Sequence, residues 1–378
     1  MNRRWNSKDF KIGVLGGGQL GRMLIQEAID LDVHLHMIDP DPNAPCALIA
    51  HSFSCGSITD YDTVIEFGKD KDLITVEIEN VNIEALEALE QNGVKIFPQP
   101  RVLRIIKDKG IQKQFYVDHN IPTAPFTLYD NANALEEANI SYPIIQKMRT
   151  GGYDGKGVQL LKQSSDSYDA PNLCESLIDF DKELSVIVAR NENGDVQCFP
   201  PVECEFNSEA NLVEYLFSPA NISKEITQKE NSIAMDLIQK LDMIGLLAVE
   251  FFLGKNGELL VNEIAPRPHN SGHHTIECCN TSQYAQHLRS VLNLPLGDTT
   301  LITPGAMINI LGEKGFTGPA IYEGLEKILG ISGVHAHIYG KSDTKPFRKM
   351  GHVTITGETL IQVKRIADEV KETIKVKA

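Results

Sequence analysis

Apolar and polar positions alternate with two different periods along this chain, and their succession predicts strands and helices in turn. Residues 11–15 form a short apolar run that ends in Gly16-Gly17-Gly18-Gln19-Leu20-Gly21. Met23, Leu24, Ala28 and Leu31 follow at helical spacing, and residues 33–39 read as a second strand, so the chain opens on a βαβ-like unit. Strands at 73–78 and 94–97, with a helix over 82–92, complete an α/β domain whose strands are expected to be parallel. Pro98 and Pro100 mark its exit, and one basic helix is predicted from Arg101 to about His119. Strands at 142–148, 183–189 and 196–202 then suggest a small mixed α/β unit. An amphipathic helix over 228–243 carries Ile233, Leu237, Ile238 and Leu241 on one face. A hairpin is predicted from 247–253 and 258–264. Short strands at 334–339 and 351–356 and a helix with Ile366 and Val370 close the chain.

Length and composition narrow the class. The 378 residues suffice for two or three domains with buried cores. A formal net charge of -15 argues against a general nucleic-acid binder, which needs a basic face, but leaves room for nucleotides held by a few local cations. The seven cysteines include no CxxC pair, so reduced thiols are expected rather than a disulfide framework. Neither a signal peptide behind Arg3 and Arg4 nor an apolar run of membrane-spanning length is read from the sequence, which points to the cytoplasm.

Three clusters carry chemistry. Gly16, Gly18 and Gly21 fit G-x-G-x-x-G after a strand, with Asp39 about twenty residues on, and glycines there let a phosphate approach a helix N-terminus. Taken alone this suggests a dinucleotide oxidoreductase, or else a turn that needs glycine for packing. Next comes the hairpin Ala248–Pro266. Asn256-Gly257 predicts a type I′ turn, which pairs Lys255 with Glu258 and Glu250 with Glu263; a turn one residue earlier opposes Glu250 to Val261. In either register the two carboxylates share a face among apolar neighbours, where like charges at ~5 Å need a compensating cation. Magnesium, which takes one or two carboxylates plus phosphate oxygens, fits. A glycosidase pair of carboxylates finds no other support in the sequence. The third cluster, Lys147-Met-Arg-Thr-Gly-Gly-Tyr-Asp-Gly-Lys-Gly157, reads as a basic flap able to close over a triphosphate, with Lys147 on the preceding strand. It lacks the P-loop pattern. Residues 267–274 (Arg-Pro-His-Asn-Ser-Gly-His-His) read as a polar substrate loop. Zinc on His269 and His273 is disfavoured there because Pro268 and Gly272 oppose a helix.

Together these features resemble an ATP-grasp enzyme. The order G-G-G-Q-L-G-R-M, T-V-E-I-E-N-V, T-G-G-Y-D-G-K-G, V-N-E-I-A-P-R-P-H-N-S-G-H and R-K-M-G-H closely resembles the ATP-dependent N5-carboxyaminoimidazole ribonucleotide synthetases of purine biosynthesis. The resemblance implies an α/β chain (α+β overall) with the ATP-grasp fold. Its expected parts are a Rossmann-like, parallel-sheet pre-ATP-grasp domain (1–105), a central lid domain (106–190) and a C-terminal ATP-grasp domain (191–378). The last would hold the metal site and a small β-rich subdomain.

What the resemblance implies about residues falls on matching positions. Lys109 and Lys147 would meet the ATP phosphates, with Gly152, Tyr153, Asp154, Gly155, Lys156 and Gly157 forming the lid. Glu175 and Ile178 would hold adenine, Glu183 the ribose, and Asn262 and Glu263 the end of the ATP site. Glu250 and Glu263 would bind magnesium, with manganese as a substitute. Tyr153, Asp154, Arg267 and Lys349 would be catalytic, meeting carboxyphosphate and aminoimidazole ribonucleotide. Gln19, Glu77, His269, Asn270, Ser271, Lys345 and Arg348 would face aminoimidazole ribonucleotide. Pro201–Phe206 departs from the family pattern, which has a histidine after this stretch. Bicarbonate is the implied co-substrate; a homodimer and hand-off of the product to a downstream mutase are further implications. ATP-grasp rivals with other acceptors are the formate-dependent glycinamide ribonucleotide transformylase, biotin carboxylase and D-alanine ligase. A non-catalytic nucleotide sensor is another.

Overall fold

The structure, a computed structural model of the 378-residue chain, describes residues 4–138, 140–151, 157–207 and 212–378. Its first sheet contains β1 (Ile12–Leu15), β2 (Leu35–Asp39), β3 (Ser52–Cys55), β4 (Leu73–Val76) and β5 (Lys95–Ile96). All pair in parallel, in the order β3-β2-β1-β4-β5. Helices α1 (Gln19–Asp30), α2 (Tyr61–Gly68) and α3 (Ile83–Gln91) make the crossovers. β1 and β4 are buried throughout, as strands of a sheet covered on both faces must be. β3 and α2 escaped the sequence reading. β3 reads Ser-Phe-Ser-Cys on the sheet edge, largely exposed, and carries little apolar signal. The strand order reverses between β1 and β4, so the crevice at their carboxyl ends is where such a sheet receives a ligand.

The single helix expected over 101–119 is two, α4 (Pro100–Lys107) and α5 (Lys109–Asp118). Asp108 breaks it. Its backbone is extended, and its carboxylate accepts hydrogen bonds from the amides of Gly110 (2.8 Å) and Ile111 (3.2 Å), capping α5. That cap makes Lys109 the first residue of the new helix.

A small antiparallel sheet follows, built from β6 (Phe126–Tyr129), β7 (Ile144–Met148), β8 (Val158–Leu161) and β9 (Asn172–Ser176) in the order β6-β9-β7-β8. Short helix α6 (Ala132–Glu137) lays Leu135 over Ile144, Leu161 and Cys174.

The large sheet begins with β10 (Phe180–Arg190), β11 (Val196–Cys198), β12 (Val202–Asn207) and β13 (Leu212–Ser218). After helix α7 (Lys224–Lys240) come β14 (Gly245–Gly254) and β15 (Leu259–Ala265). Its order is β15-β14-β10-β12-β13, continued by strands Gly305–Leu311, Lys349–Thr356 and Val334–Ile338, with β11 paired to β10. Ala234, Leu237 and Ile238 of α7 bury against Val186, Val188 and Val249. Helix Gln283–Val291 inserts Tyr284, Leu288 and Val291 into the same apolar cluster as Ile12, Met23 and Leu24 of the first domain. Thr75 Oγ1 and His287 Nε2 meet there at 2.9 Å. This shared core sets the carboxyl ends of β1 and β4 beside the segment that leaves β15.

The hairpin turn differs from the expected type I′. Its loop has three residues, with Gly254 donating to the Glu258 carbonyl (2.8 Å) and Gly257 to the Gly254 carbonyl (2.9 Å). Gly257 takes positive φ (78°), while Asn256 keeps an ordinary backbone and accepts from the Glu258 amide through its side chain (3.1 Å). One left-handed residue is what a three-residue loop requires. Neither expected register runs the length of the ladder. Leu253 pairs with Leu259 and Phe251 with Val261, but Val249 pairs with Ile264, so Glu250 faces both Asn262 and Glu263 across a β-bulge. Among the described residues, no helix is long and apolar enough to cross a membrane.

Candidate active site

The bulge decides how the acidic pair is presented. In an unbroken strand the side chains of Asn262 and Glu263 would point to opposite faces. Here Asn262 Oδ1 accepts from Lys147 Nζ (2.8 Å) and Glu263 Oε2 from Lys109 Nζ (2.7 Å), two cations of one cleft. Glu250 stands beside them on β14. Crowding by protein, then the charges of Glu263 and Glu183, push its carboxyl above the usual range. The Lys109 ammonium holds Glu263 well below that range. Glu183, on β10, is pushed up to about 7 by burial.

Lys147 comes from β7, the strand before the glycine-rich flap, and reaches the large sheet because the small sheet folds over it. Its ammonium also lies 2.7 Å from Glu175 Oε2. The other oxygen of Glu175 lies 2.6 Å from Lys113 Nζ. Glu175 is therefore buried between two lysines. Ile178 lies half-buried in the link from β9 to β10. Gly157 closes the base of the flap, its carbonyl accepting from the Met148 amide (2.8 Å). Gly152, Tyr153, Asp154, Gly155 and Lys156 lie outside the described residues.

The glycine-rich turn after β1 carries acceptors of its own. Asp39 Oδ2 accepts from the Gly17 amide (2.8 Å), Glu77 Oε1 from the Leu20 amide (3.0 Å), and the Ile38 carbonyl from the Gly16 amide (2.9 Å). A Cβ on Gly18 would lie 2.6 Å from Glu77 Oε1, so glycine is needed for the close approach of this carboxylate. The acid expected to bind a dinucleotide ribose instead pins the turn, and the turn's amides are occupied. The geometry thus turns from a dinucleotide fingerprint to an acidic pocket at the sheet's switch point. Gln19 opens α1 at its mouth, half-buried.

Arg267, leaving β15, crosses to this pocket and forms a close two-pronged ion pair with Glu79. Glu79 was not assigned from the sequence, although it lies within T-V-E-I-E-N-V two residues beyond Glu77. His269 Nε2 lies 3.7 Å from Glu250 Oε1, and burial together with Arg267 and Lys349 lowers its pKa to about 3. Asn270 exchanges hydrogen bonds with Asn309 (2.9 and 3.1 Å), and Ser271 Oγ lies 2.8 Å from Ser185 Oγ, so the loop is tied to the sheet at both positions. His273 turns the other way, its Nδ1 3.0 Å from Tyr284 Oη. Lys349 stands near His269 and His273. Arg348 donates to the Asp343 carbonyl (2.6 Å) within its own turn, and Lys345 is exposed on that turn.

Three family models match the chain in sequence order. They are the ribonucleotide synthetase preATP-grasp domain over residues 10–107, the ATP-grasp domain over 114–284 and the phosphoribosylaminoimidazole carboxylase C-terminal domain over 305–366. The N5-carboxyaminoimidazole ribonucleotide synthase of Bacillus subtilis is 36% identical over 353 residues, covering 91% of this chain and 90% of that protein. The chain belongs to this synthase family. The crystal structure of the synthetase from Thermotoga maritima superposes with a TM-score of 0.90 at 37% identity, covering 98% of this chain and 99% of that one. That of the Aspergillus clavatus synthase in complex with ADP and 5-aminoimidazole ribonucleotide gives 0.87 at 32%, covering 97% and 98%. A chloroplastic phosphoribosylaminoimidazole carboxylase of Vigna aconitifolia is 38% identical over 366 residues, and the chain spans 65% of its length.

As a member of this synthase family the chain is an ATP-grasp ligase with a parallel-sheet N-terminal domain. The structure brings Lys109, Lys147, Glu183, Glu250, Asn262 and Glu263 around one cleft. Glu79 and Arg267 meet at a second cleft next to it, with Glu77 in electrostatic reach of Arg267, and His269 joins this cleft to the first.

Proposed function

We propose that the chain carboxylates 5-aminoimidazole ribonucleotide with bicarbonate at the expense of ATP, giving N5-carboxyaminoimidazole ribonucleotide, ADP and phosphate. The observation that carries this reading is the adjacency of a lysine-and-carboxylate cleft to the Glu77–Glu79–Arg267 pocket. An electrophile made in one lies beside a nucleophile held in the other.

The residues present fit a magnesium ion. Glu250 and Glu263 converge at the bulge, and among the described residues the lysine contact falls on Glu263, so a divalent cation would supply the counter-charge that Glu250 needs to ionise in this buried place. Among the described residues no three side chains form a ready metal cage. That suits an ion completed by phosphate oxygens and water. When bound, it would supply charge neutralisation to the nucleotide phosphates.

The chain's own groups account for the remaining roles. Lys109 and Lys147 bind phosphate oxygens, and Asn262 aims Lys147. A bicarbonate oxygen bonds to the γ-phosphorus as the bond to the ADP oxygen breaks. Arg267 and Lys349 hold the carboxyphosphate dianion; its C–O bond then breaks to give CO₂ and phosphate. The exocyclic amine of the ribonucleotide attacks that CO₂ and transfers a proton to phosphate. Glu77 and Gln19 orient the ribonucleotide in the crevice between β1 and β4. Water must be kept from this site, since it would otherwise hydrolyse the mixed anhydride.

The test is phosphate release measured with Mg-ATP, bicarbonate and either 5-aminoimidazole ribonucleotide, glycinamide ribonucleotide, biotin or D-alanine. Release that requires the aminoimidazole compound, with N5-carboxylated product seen by carbon-13 NMR, supports the reading. Stimulation by a different acceptor overturns it.

A further inference from the structure

Lys109 and Lys113 are spaced i, i+4, so α5 presents both from one face. Lys109 reaches Glu263 in the cleft. Lys113, one turn deeper, is only 2% exposed. Its ammonium lies 2.6 Å from Glu175 Oε1, donates to Thr123 Oγ1, and reaches the Val261 carbonyl at 3.4 Å. Thr123 Oγ1 donates to that same carbonyl at 2.8 Å. Glu175 continues to Lys147, and Lys147 to Asn262 on the bulge. The result is a chain from α5 through β9 and β7 to β15, with Lys113, Glu175 and Lys147 all nearly buried.

One lysine would suffice to neutralise Glu175. Burying a second costs hydration that Glu175 alone does not repay, and the excess cation faces Glu183, Glu250 and Glu263 across the cleft. With Lys113 present, Glu175 is already balanced, and Lys147 meets the cleft as a full positive charge rather than as half of a neutral pair. Burial, opposed by Glu175 and reinforced by Lys147, lowers the Lys113 pKa to about 8, as two ammonium groups sharing one carboxylate require.

We propose that Lys113 is a positioning residue of the ATP site. It neutralises and anchors Glu175, so that Lys147 is held against Asn262 with its charge available to a nucleotide phosphate. This rests on the reading of the cleft as an ATP site.

The experiment compares Lys113→Met, Lys113→Met with Glu175→Gln, and the unmodified chain. It measures ADP and ATP binding by calorimetry and steady-state constants for ATP and 5-aminoimidazole ribonucleotide, with circular dichroism checking the fold. Lys113→Met should raise Kd and KM for ATP about tenfold or more, the scale of one charge-assisted contact, and leave KM for the ribonucleotide unchanged. The double variant removes the unbalanced carboxylate and should recover most of that loss, which a role in packing alone would not predict. Unchanged ATP affinity in Lys113→Met overturns the proposal, as does a double variant no better than the single. If Lys113→Met does not fold, the double variant decides. Affinity within about threefold of the unmodified chain supports the proposal, and a loss of about tenfold or more overturns it. If the unmodified chain binds no nucleotide, the ATP-site reading itself fails, and the inference with it.

Discussion

Glu250 and Glu263 are brought together by a β-bulge. Val249 pairs with Ile264 and Phe251 with Val261, so the one residue between them on β14 faces two on β15. The extra residue turns Asn262 and Glu263 toward the same cleft, where an unbroken ladder would have turned one of them away.

Substitution of either carboxylate should therefore stop ATP turnover without unfolding the chain. Glu263→Gln and Glu250→Gln are expected to lower phosphate release by roughly a hundredfold or more, the scale of a lost electrostatic element in a preorganised site. The far-ultraviolet circular dichroism spectrum should be retained. Turnover within a few-fold of the unmodified chain would refute the assignment of these residues to the metal.

Arg267 holds Glu79 in a two-pronged ion pair at the second cleft. Lysine keeps the charge but cannot reproduce a two-pronged contact with a carboxylate. Arg267→Lys should thus lower kcat for ribonucleotide-dependent phosphate release at least about tenfold. Nucleotide affinity, measured by ADP titration, should stay near that of the unmodified chain. Equal losses in ADP affinity and kcat would place Arg267 in the nucleotide site instead.

Gly18 is kept small by Glu77, whose carboxylate would lie 2.6 Å from an added Cβ. Gly18→Ala should push Glu77 off the Leu20 amide and destabilise the first domain by ~1–3 kcal/mol. KM for the aminoimidazole ribonucleotide should rise more than KM for ATP. Thermal melts and paired kinetics check both parts. A rise confined to ATP would contradict the placement of the ribonucleotide at the switch point.

Glu230 on α7 is fully buried, both its oxygens lack a hydrogen-bond partner among the described residues, and burial raises its pKa well above the ordinary value. A carboxyl whose folded pKa is raised keeps its proton in the fold while the unfolded chain releases it near pH 4.5. Its contribution to stability is thus full below that pH and is lost as pH rises toward the folded value, by at most ~1.4 kcal/mol per pH unit. Glu230→Gln removes the ionisation, so it should match the unmodified chain near pH 5 and be more stable at pH 8. Urea denaturation at both pH values measures this; a pH-independent difference would sink the explanation.

Several strands and helices and the chemistry-bearing clusters were legible in the sequence because each depends on residues close together in the chain, whereas β6, β9, β13 and helix Gln283–Val291 were not read. Period-2 and period-3.6 patterns located the βαβ opening, α7 and the hairpin, and the glycines and acids stood in short contiguous motifs. Where the local signal was weak or misleading, the reading slipped. The edge strand β3 has few apolar residues, Asp108 caps a helix inside a continuous basic run, and Asn256-Gly257 sits in a three-residue loop.

Only the tertiary structure decided which motifs meet. Arg267 finds Glu79 across 188 positions, Lys147 finds Asn262 across 115, and Lys113 and Lys147 share Glu175. These contacts depend on the core that helix Gln283–Val291 shares with the first domain and on the small sheet folding over the large one. No periodicity encodes such pairings. They follow from burying apolar faces of distant segments together, which leaves their polar groups to find partners at the seams.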